Sequence, residues 1–179
     1  IPEKGPLMII ANHPFGIIDG LILCSLISKK RKDFKIMTHE TLQFLPQLEE
    51  FILPVDFSSN KKQSVKSNIE TAKKAKQHLL NNGALIVFPS GSVSTAKSIK
   101  SEAKDDAWKS FPAKLIQQTK TNILPIIVEG LFSIKPKNRW TIIPQPVKLI
   151  IKDPIDVLNK SVDDVLEEVE SIYLNHELK

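Results

Sequence analysis

The sequence predicts an α/β fold, with a central mostly parallel or mixed sheet flanked by helices. Two observations carry this. Short, continuously apolar runs recur along the chain, among them Leu7 to Ala11, Ala84 to Phe88 and Asn122 to Val128. Between them lie longer segments with helical periodicity, the clearest from Lys62 to Asn82. Unbroken apolar runs are what strands buried on both faces require, and alternation with helices is the pattern of a sheet built from crossovers.

Taken in order, LMIIA (7–11) follows Gly5-Pro6 and reads as a buried strand. Asp19 then opens an apolar helix to about Ser28, because an aspartate favours a helix N-terminus. Phe34 to Met37 is a second short strand. Thr41 to Glu50 is expected to be helical, interrupted near Pro46, and Phe51 to Val55 to be a third strand. In the helix from Lys62 to Asn82, Val65, Ile69, Ala72 and Leu79 follow the 3.6-residue period and are expected to face the core, with Asn82-Gly83 as its stop. ALIVF (84–88) is a buried strand ending in Pro89. Residues 92–106 lack an apolar period and read as an exposed loop. A helix with Pro112 in its first turn follows, then the strand NILPIIV (122–128) and one or two strands within Thr141 to Ile151. Ser161 to about Asn175 is an amphipathic helix.

A length of 179 residues, 41% of them hydrophobic and 25% charged, suits a single domain over 1–179 and argues against a disordered chain. The chain begins Ile1-Pro2 without a methionine, so a missing N-terminal segment is expected. A single cysteine, Cys24, rules out an internal disulfide and fits a reducing compartment. The apolar run from Ile17 to Ile27 is broken by Asp19 and Ser25 and is too short to span a bilayer. The net charge of +5 is uneven: from Asp153 onward there are eight acidic and two basic residues, so the rest of the chain is strongly basic. A basic body favours anionic partners such as a phospholipid surface, an acyl carrier protein or the phosphates of coenzyme A. A nucleic-acid partner is not expected, since no motif or aromatic interleaving accompanies the charge.

Chemistry concentrates in two loops. The first reads Asn12-His13-Pro14-Phe15-Gly16-Ile17-Ile18-Asp19: a histidine leaves the C-terminal end of a strand, and a carboxylate follows six residues on at a helix start. Ligands of open α/β sheets collect at that edge. Pro14 and Gly16 let the loop fold back, so that Asp19 can accept a hydrogen bond from one imidazole nitrogen of His13 and leave the other to take a proton. A capping Asp19 beside a merely packed His13 is the plain alternative. The second loop, Phe88-Pro89-Ser90-Gly91-Ser92-Val93-Ser94, is rich in small residues whose backbone N–H groups suit a phosphate or an oxyanion. No Gly-x-Ser-x-Gly elbow, Walker loop or dinucleotide fingerprint is present, and His39, His78 and His176 lack metal-ligand spacing.

Together these loops resemble the glycerolipid acyltransferase family, whose members move fatty acyl groups from coenzyme A or carrier-protein thioesters. Asn12-His13 with Asp19 is similar to its first block, Leu53-Pro54-Val55-Asp56 to its second, Phe88 to Ser94 to its third, and Ile123 to Val128 to its fourth, all in the family's order. The spacing Asn-His-Pro-x-Gly-x-x-Asp-Gly looks like a branch described as hemolysin-like. Phe57 and Val93 stand where the second and third blocks usually carry arginine, and Ser90 where the third carries glutamate.

The resemblance implies a glycerol-phosphate acyltransferase-like fold and transfer of an acyl group to a lysolipid or related hydroxyl or amine acceptor. His13 would be the general base and Asp19 its orienting carboxylate. Asn12, Gly16, Ser90, Gly91 and Ser92 would contact substrate, and Lys62 and Lys66 would supply point charges in place of the absent arginines. The helix after Asp19, with Phe44, Phe51 and Trp108, would wall the acyl groove. No cofactor is expected beyond acyl-CoA or acyl-carrier-protein as co-substrate, and the expected location is cytoplasmic, peripheral at the inner membrane face. A thioesterase or lipase-type hydrolase and a non-catalytic lipid-surface module stay open as alternatives.

Overall fold

A computed structural model describes residues 1–14, 16–40, 42, 46–58, 60–91, 110–130 and 146–177. Its elements are β1 (Leu7–Ala11), α1 (Ile17–Ser28), β2 (Phe34–His39), β3 (Ile52–Val55), α2 (Lys61–Leu80), β4 (Ala84–Val87), α3 (Ser110–Thr119), β5 (Asn122–Glu129), β6 (Lys148–Ile151) and α4 (Val162–Glu177). The six strands form one sheet in the order β3-β2-β4-β1-β5-β6. The first five run parallel, and β6 pairs antiparallel with β5.

The apolar runs become the centre of the sheet. Every residue of β1 is buried, and β1 lies between β4 and β5. Alternate side chains go to opposite faces. Leu7, Ile9 and Ala11 meet Leu23 and Ile27 of α1 on one side. Met8 and Ile10 meet Ala75 and Leu79 of α2, Leu115 and Ile116 of α3, and Val165 and Val169 of α4 on the other. Each such aliphatic side chain stabilises by about 1.5–3 kcal/mol when fully buried, which is why a strand apolar on both faces takes the middle. On the second face α3 packs between α2 and α4.

Several local expectations change. Instead of a helix over Thr41 to Glu50, the described residues there are 3-10 at Leu42, turns from Pro46 to Leu48 and a 3-10 turn, Glu49–Phe51. Proline removes the N–H that a continuous helix needs. Helix α2 forms, with Asn60 as N-cap accepting from the Gln63 N–H, but a different face is buried. Thr71, Ala75 and Leu79 point to the sheet, while Val65 and Ile69, expected in the core, are 58% and 49% exposed. The physical reason is the exit of β3. Asn68 Oδ1 accepts from the Asp56 N–H at 2.8 Å and its Nδ2 donates to Asp56 O at 2.9 Å. The Ser64 and Thr71 hydroxyls donate to Asp56 O and Pro54 O. A polar face that satisfies an otherwise unpaired strand end outranks two aliphatic residues. The loop over 92–106, residues 141–145, Phe44 and Trp108 lie outside the described residues. The last strand is the short β6. Its ladder with β5 ends at Ile126, next to Pro125, which has no N–H to give, and pairing resumes as one bridge between Ile123 and Ile155.

The N-terminal edge of the sheet is fastened by Arg31, which is buried. Its guanidinium forms a two-pronged pair with Asp33, both bonds 2.7 Å, and donates to Gly5 O at 2.9 Å and Asn82 O at 2.8 Å. Burying a guanidinium is tolerated because all these donors find acceptors.

Candidate active site

The site is built at the opposite, C-terminal edge. Backbone pairing of β1 ends at Ala11, and Asn12 extends it with its side chain: Oδ1 accepts from the Val128 N–H at 2.7 Å, and Nδ2 donates to Val128 O at 3.0 Å. Asn12 therefore works as a strut between β1 and β5, with both polar atoms of its amide engaged by backbone. It hands the chain to His13 at a defined point beyond the strand.

From His13 the loop turns back through Gly16, whose φ of 110° suits glycine alone. Helix α1 begins one residue later, so Asp19 sits in its first turn. Gly16 has no side chain to cap the helix. The reciprocal bond forms instead: its N–H donates to Asp19 Oδ2 at 2.9 Å. The same oxygen lies 2.9 Å from His13 Nδ1. Asp19 is completely buried, whereas the His13 side chain is 17% exposed and lines a cleft. Nδ1 thus faces the carboxylate. The His13 ring also stacks on Phe88, centroids 4.0 Å apart and planes 24° apart. The loops after β1 and β4 are brought together, as expected of neighbouring parallel strands.

In the second loop Ser90 is fully buried and Gly91 lines the cleft. Gly91 adopts a φ of 67°, and its N–H donates to Phe88 O at 3.0 Å, closing the turn. Its backbone donor is thus committed to shaping the loop. Ser92 lies outside the described residues.

The cleft has a volume of about 620 Å³, within the range of about 300–1,000 Å³ typical of small-molecule sites. Its walls are mainly apolar: Leu21 and Cys24 from α1, Ile36 from β2, Phe51 from the 3-10 turn, Val55 from β3 and Phe111 from α3. Phe51 was expected there. Asn68 and Thr71 were not, yet both line it. Their signal was available as small polar residues, with Ser64 and Ala75, on one face of a lysine-rich helix. Their polar atoms are turned to Asp56 and Pro54, so they offer the cleft packing surface. Burial pushes the Cys24 thiol up to about 11. Lys62 and Lys66 are exposed, and neither lines the cleft; among the described residues no lysine or arginine does.

A histidine beside a buried carboxylate thus opens on an apolar cleft at the strand ends. The sequence model of the family described as Acyltransferase matches residues 1–129, and the chain belongs to that family. It is 26% identical over 132 residues to a lyso-glycine lipid O-acyltransferase of Phocaeicola vulgatus, a match covering 73% of this chain and 44% of that protein. The chain thus spans less than half the length of this relative. In fold it is similar to the crystal structure of the 1-acyl-sn-glycerophosphate (LPA) acyltransferase PlsC from Thermotoga maritima. The TM-score is 0.68 at 23% identity, covering 100% of this chain and 68% of that one.

Proposed function

We propose that this chain carries the acyl-transfer chemistry of a lysolipid O-acyltransferase, acting at the inner face of a membrane as a peripheral protein. The observation that carries the reading is the 2.9 Å approach of His13 Nδ1 to buried Asp19 at the mouth of an apolar cleft. His13 Nε2 removes the proton from an acceptor hydroxyl as its oxygen attacks the thioester carbonyl of an acyl-CoA or acyl-carrier-protein. The C–O bond forms, the C–S bond breaks, and the imidazolium returns its proton to the departing thiolate. Asp19 fixes the imidazole tautomer and stabilises the imidazolium. Leu21, Cys24, Ile36 and Phe51 hold the acyl chain. No described helix is long and apolar enough to cross a membrane, in keeping with a peripheral arrangement.

The acceptor we favour is a hydroxyl-bearing lyso-aminolipid rather than glycerol 3-phosphate. Two features support this: the lack of lysine or arginine among the described residues lining the cleft, and the likeness to a protein named for a lyso-glycine lipid. A charge-assisted hydrogen bond is worth about 1.5–3 kcal/mol. Two missing arginine contacts, at Phe57 and Val93, therefore weaken a phosphate acceptor by roughly two to four powers of ten. The test supplies one acyl thioester with either lyso-aminolipid or glycerol 3-phosphate and identifies products by mass spectrometry. Acylated aminolipid that disappears in His13→Ala is expected. Free fatty acid as the sole product overturns transfer in favour of hydrolysis, and a higher kcat/KM with the phosphate acceptor overturns the acceptor assignment.

A further inference from the structure

The lysines of α2, singled out in the sequence, stand outside the cleft and call for another role. Helix α2 carries six lysines and one glutamate, whereas α4 carries six acidic residues and no lysine or arginine. With α3 packed between them, one layer of the molecule is basic at one edge and acidic at the other. Such a charge separation turns the α2 edge toward a negative surface.

The exposed face of α2 is not uniformly polar. At about 100° per residue, Lys62, Val65, Lys66, Ile69 and Lys73 fall within a sector of roughly 100°. Val65 and Ile69 are about half exposed on it, with no part in the core, and Lys62, Lys66 and Lys73 are all exposed beside them. Aliphatic side chains flanked by long lysines are the composition that settles at a lipid headgroup interface: the apolar groups enter the acyl boundary and the ammonium groups meet phosphates. We propose that this face of α2 docks the protein on an anionic phospholipid bilayer.

The placement has a functional sense that rests on the proposed lysolipid reaction. Phe57, three residues before the N-cap Asn60, is 54% exposed and lines the cleft. On α1, Ile17 and Leu21 also line the cleft and are substantially exposed. Docking through α2 would set Phe57, at the start of that helix and on the cleft wall, near the membrane surface, the side from which a lysolipid would enter.

The experiment is vesicle flotation of the full chain, with phosphatidylcholine alone or with phosphatidylglycerol added. Binding is expected to the phosphatidylglycerol vesicles and to fall with salt. Each lysine near an anionic surface contributes about fivefold in affinity, so Lys62→Ala/Lys66→Ala/Lys73→Ala should weaken binding on the order of 100-fold. Val65→Ser/Ile69→Ser should weaken it as well while acylating a micellar acceptor like the parent. Circular dichroism checks that both variants are folded. Equal binding to neutral vesicles, or a triple-lysine variant that floats like the parent, overturns the proposal. Vesicle binding without acyl transfer leaves docking standing and removes the reaction; transfer from micelles without vesicle binding does the reverse.

Discussion

His13 lies nearly flat against Phe88, ring centroids 4.0 Å apart, so the loop after β4 positions the proposed base carried by the loop after β1. Phe88 is then a positioning residue. Displacing a reacting group by about 1 Å costs on the order of 100-fold in rate. Phe88→Leu is expected to lower kcat by roughly 10- to 100-fold, with KM for the acyl donor changed much less. Phe88→Tyr, which keeps the ring, should retain most of the rate. Steady-state kinetics on the three proteins decides; a loss confined to KM would make Phe88 a wall of the cleft and nothing more.

Asp19 meets two partners through one oxygen, so its replacement separates the proposed catalytic role from architecture. Asp19→Asn keeps an acceptor for the Gly16 N–H but no longer stabilises an imidazolium at His13. Its kcat/KM should fall by about 10²–10⁴-fold, as should that of His13→Ala, and the double variant should be little worse than either. Losses that multiply in the double variant would show that the two act independently.

Gly16 tests the loop itself. A side chain at φ 110° is strained by about 1–3 kcal/mol. Gly16→Ala should lower Tm by roughly 2–12 °C, taking about 2–4 °C per kcal/mol for a domain of this size. It should also reduce kcat, because relief of the strain pulls Asp19 from His13. Unchanged Tm and kcat would mean the loop has another accessible path.

Cys24 reports cleft occupancy. Burial raises its thiol to about 11, against an ordinary value near 9, so little thiolate exists at neutral pH. Alkylation by iodoacetamide should be slow at pH 8 and accelerate as pH approaches 11. A non-hydrolysable acyl thioester analogue should slow it further. Labelling at the rate of a free thiol, unaffected by the analogue, would place the acyl chain elsewhere.

The Arg31 guanidinium holds the Asp33 carboxyl below the usual carboxylate range. A depressed folded-state value means the pair stabilises above the unfolded value, near 3.9, and loses that contribution as pH falls through the folded value. Asp33 is half exposed, so screening keeps this to about 1 kcal/mol. Asp33→Asn should be less stable than the parent at pH 6, and the gap should close in strong acid. Arg31→Met, which strips Gly5 O and Asn82 O of their donor, should cost about 3 kcal/mol or more at any pH. Urea denaturation across pH measures both.

Much of this architecture could be read from the chain because buried parallel strands announce themselves. LMIIA, ALIV and, after Asn122, ILPIIV are apolar without interruption, and each became a strand at the centre of the sheet. The proximity of His13 and Asp19 was legible because the loop between them is short and contains Gly16. What periodicity misjudged was the orientation of α2: Val65 and Ile69 outscored Ser64, Asn68 and Thr71 as core residues, yet hydrogen bonding to the end of β3 decided the face. Nothing local to Asn12 reveals that Val128, far along the chain, engages both ends of its amide.

Arg31 fastens its own turn to two distant stretches of chain, at Gly5 and Asn82, on the edge of the sheet opposite the cleft. The loops that hold His13, Ser90 and Phe57 leave from the other edge. Cohesion and the proposed reactivity thereby fall at opposite poles of the molecule. Substitutions around the cleft are therefore expected to leave the fastening untouched, so that the walls can be altered at one end while the other end stays locked.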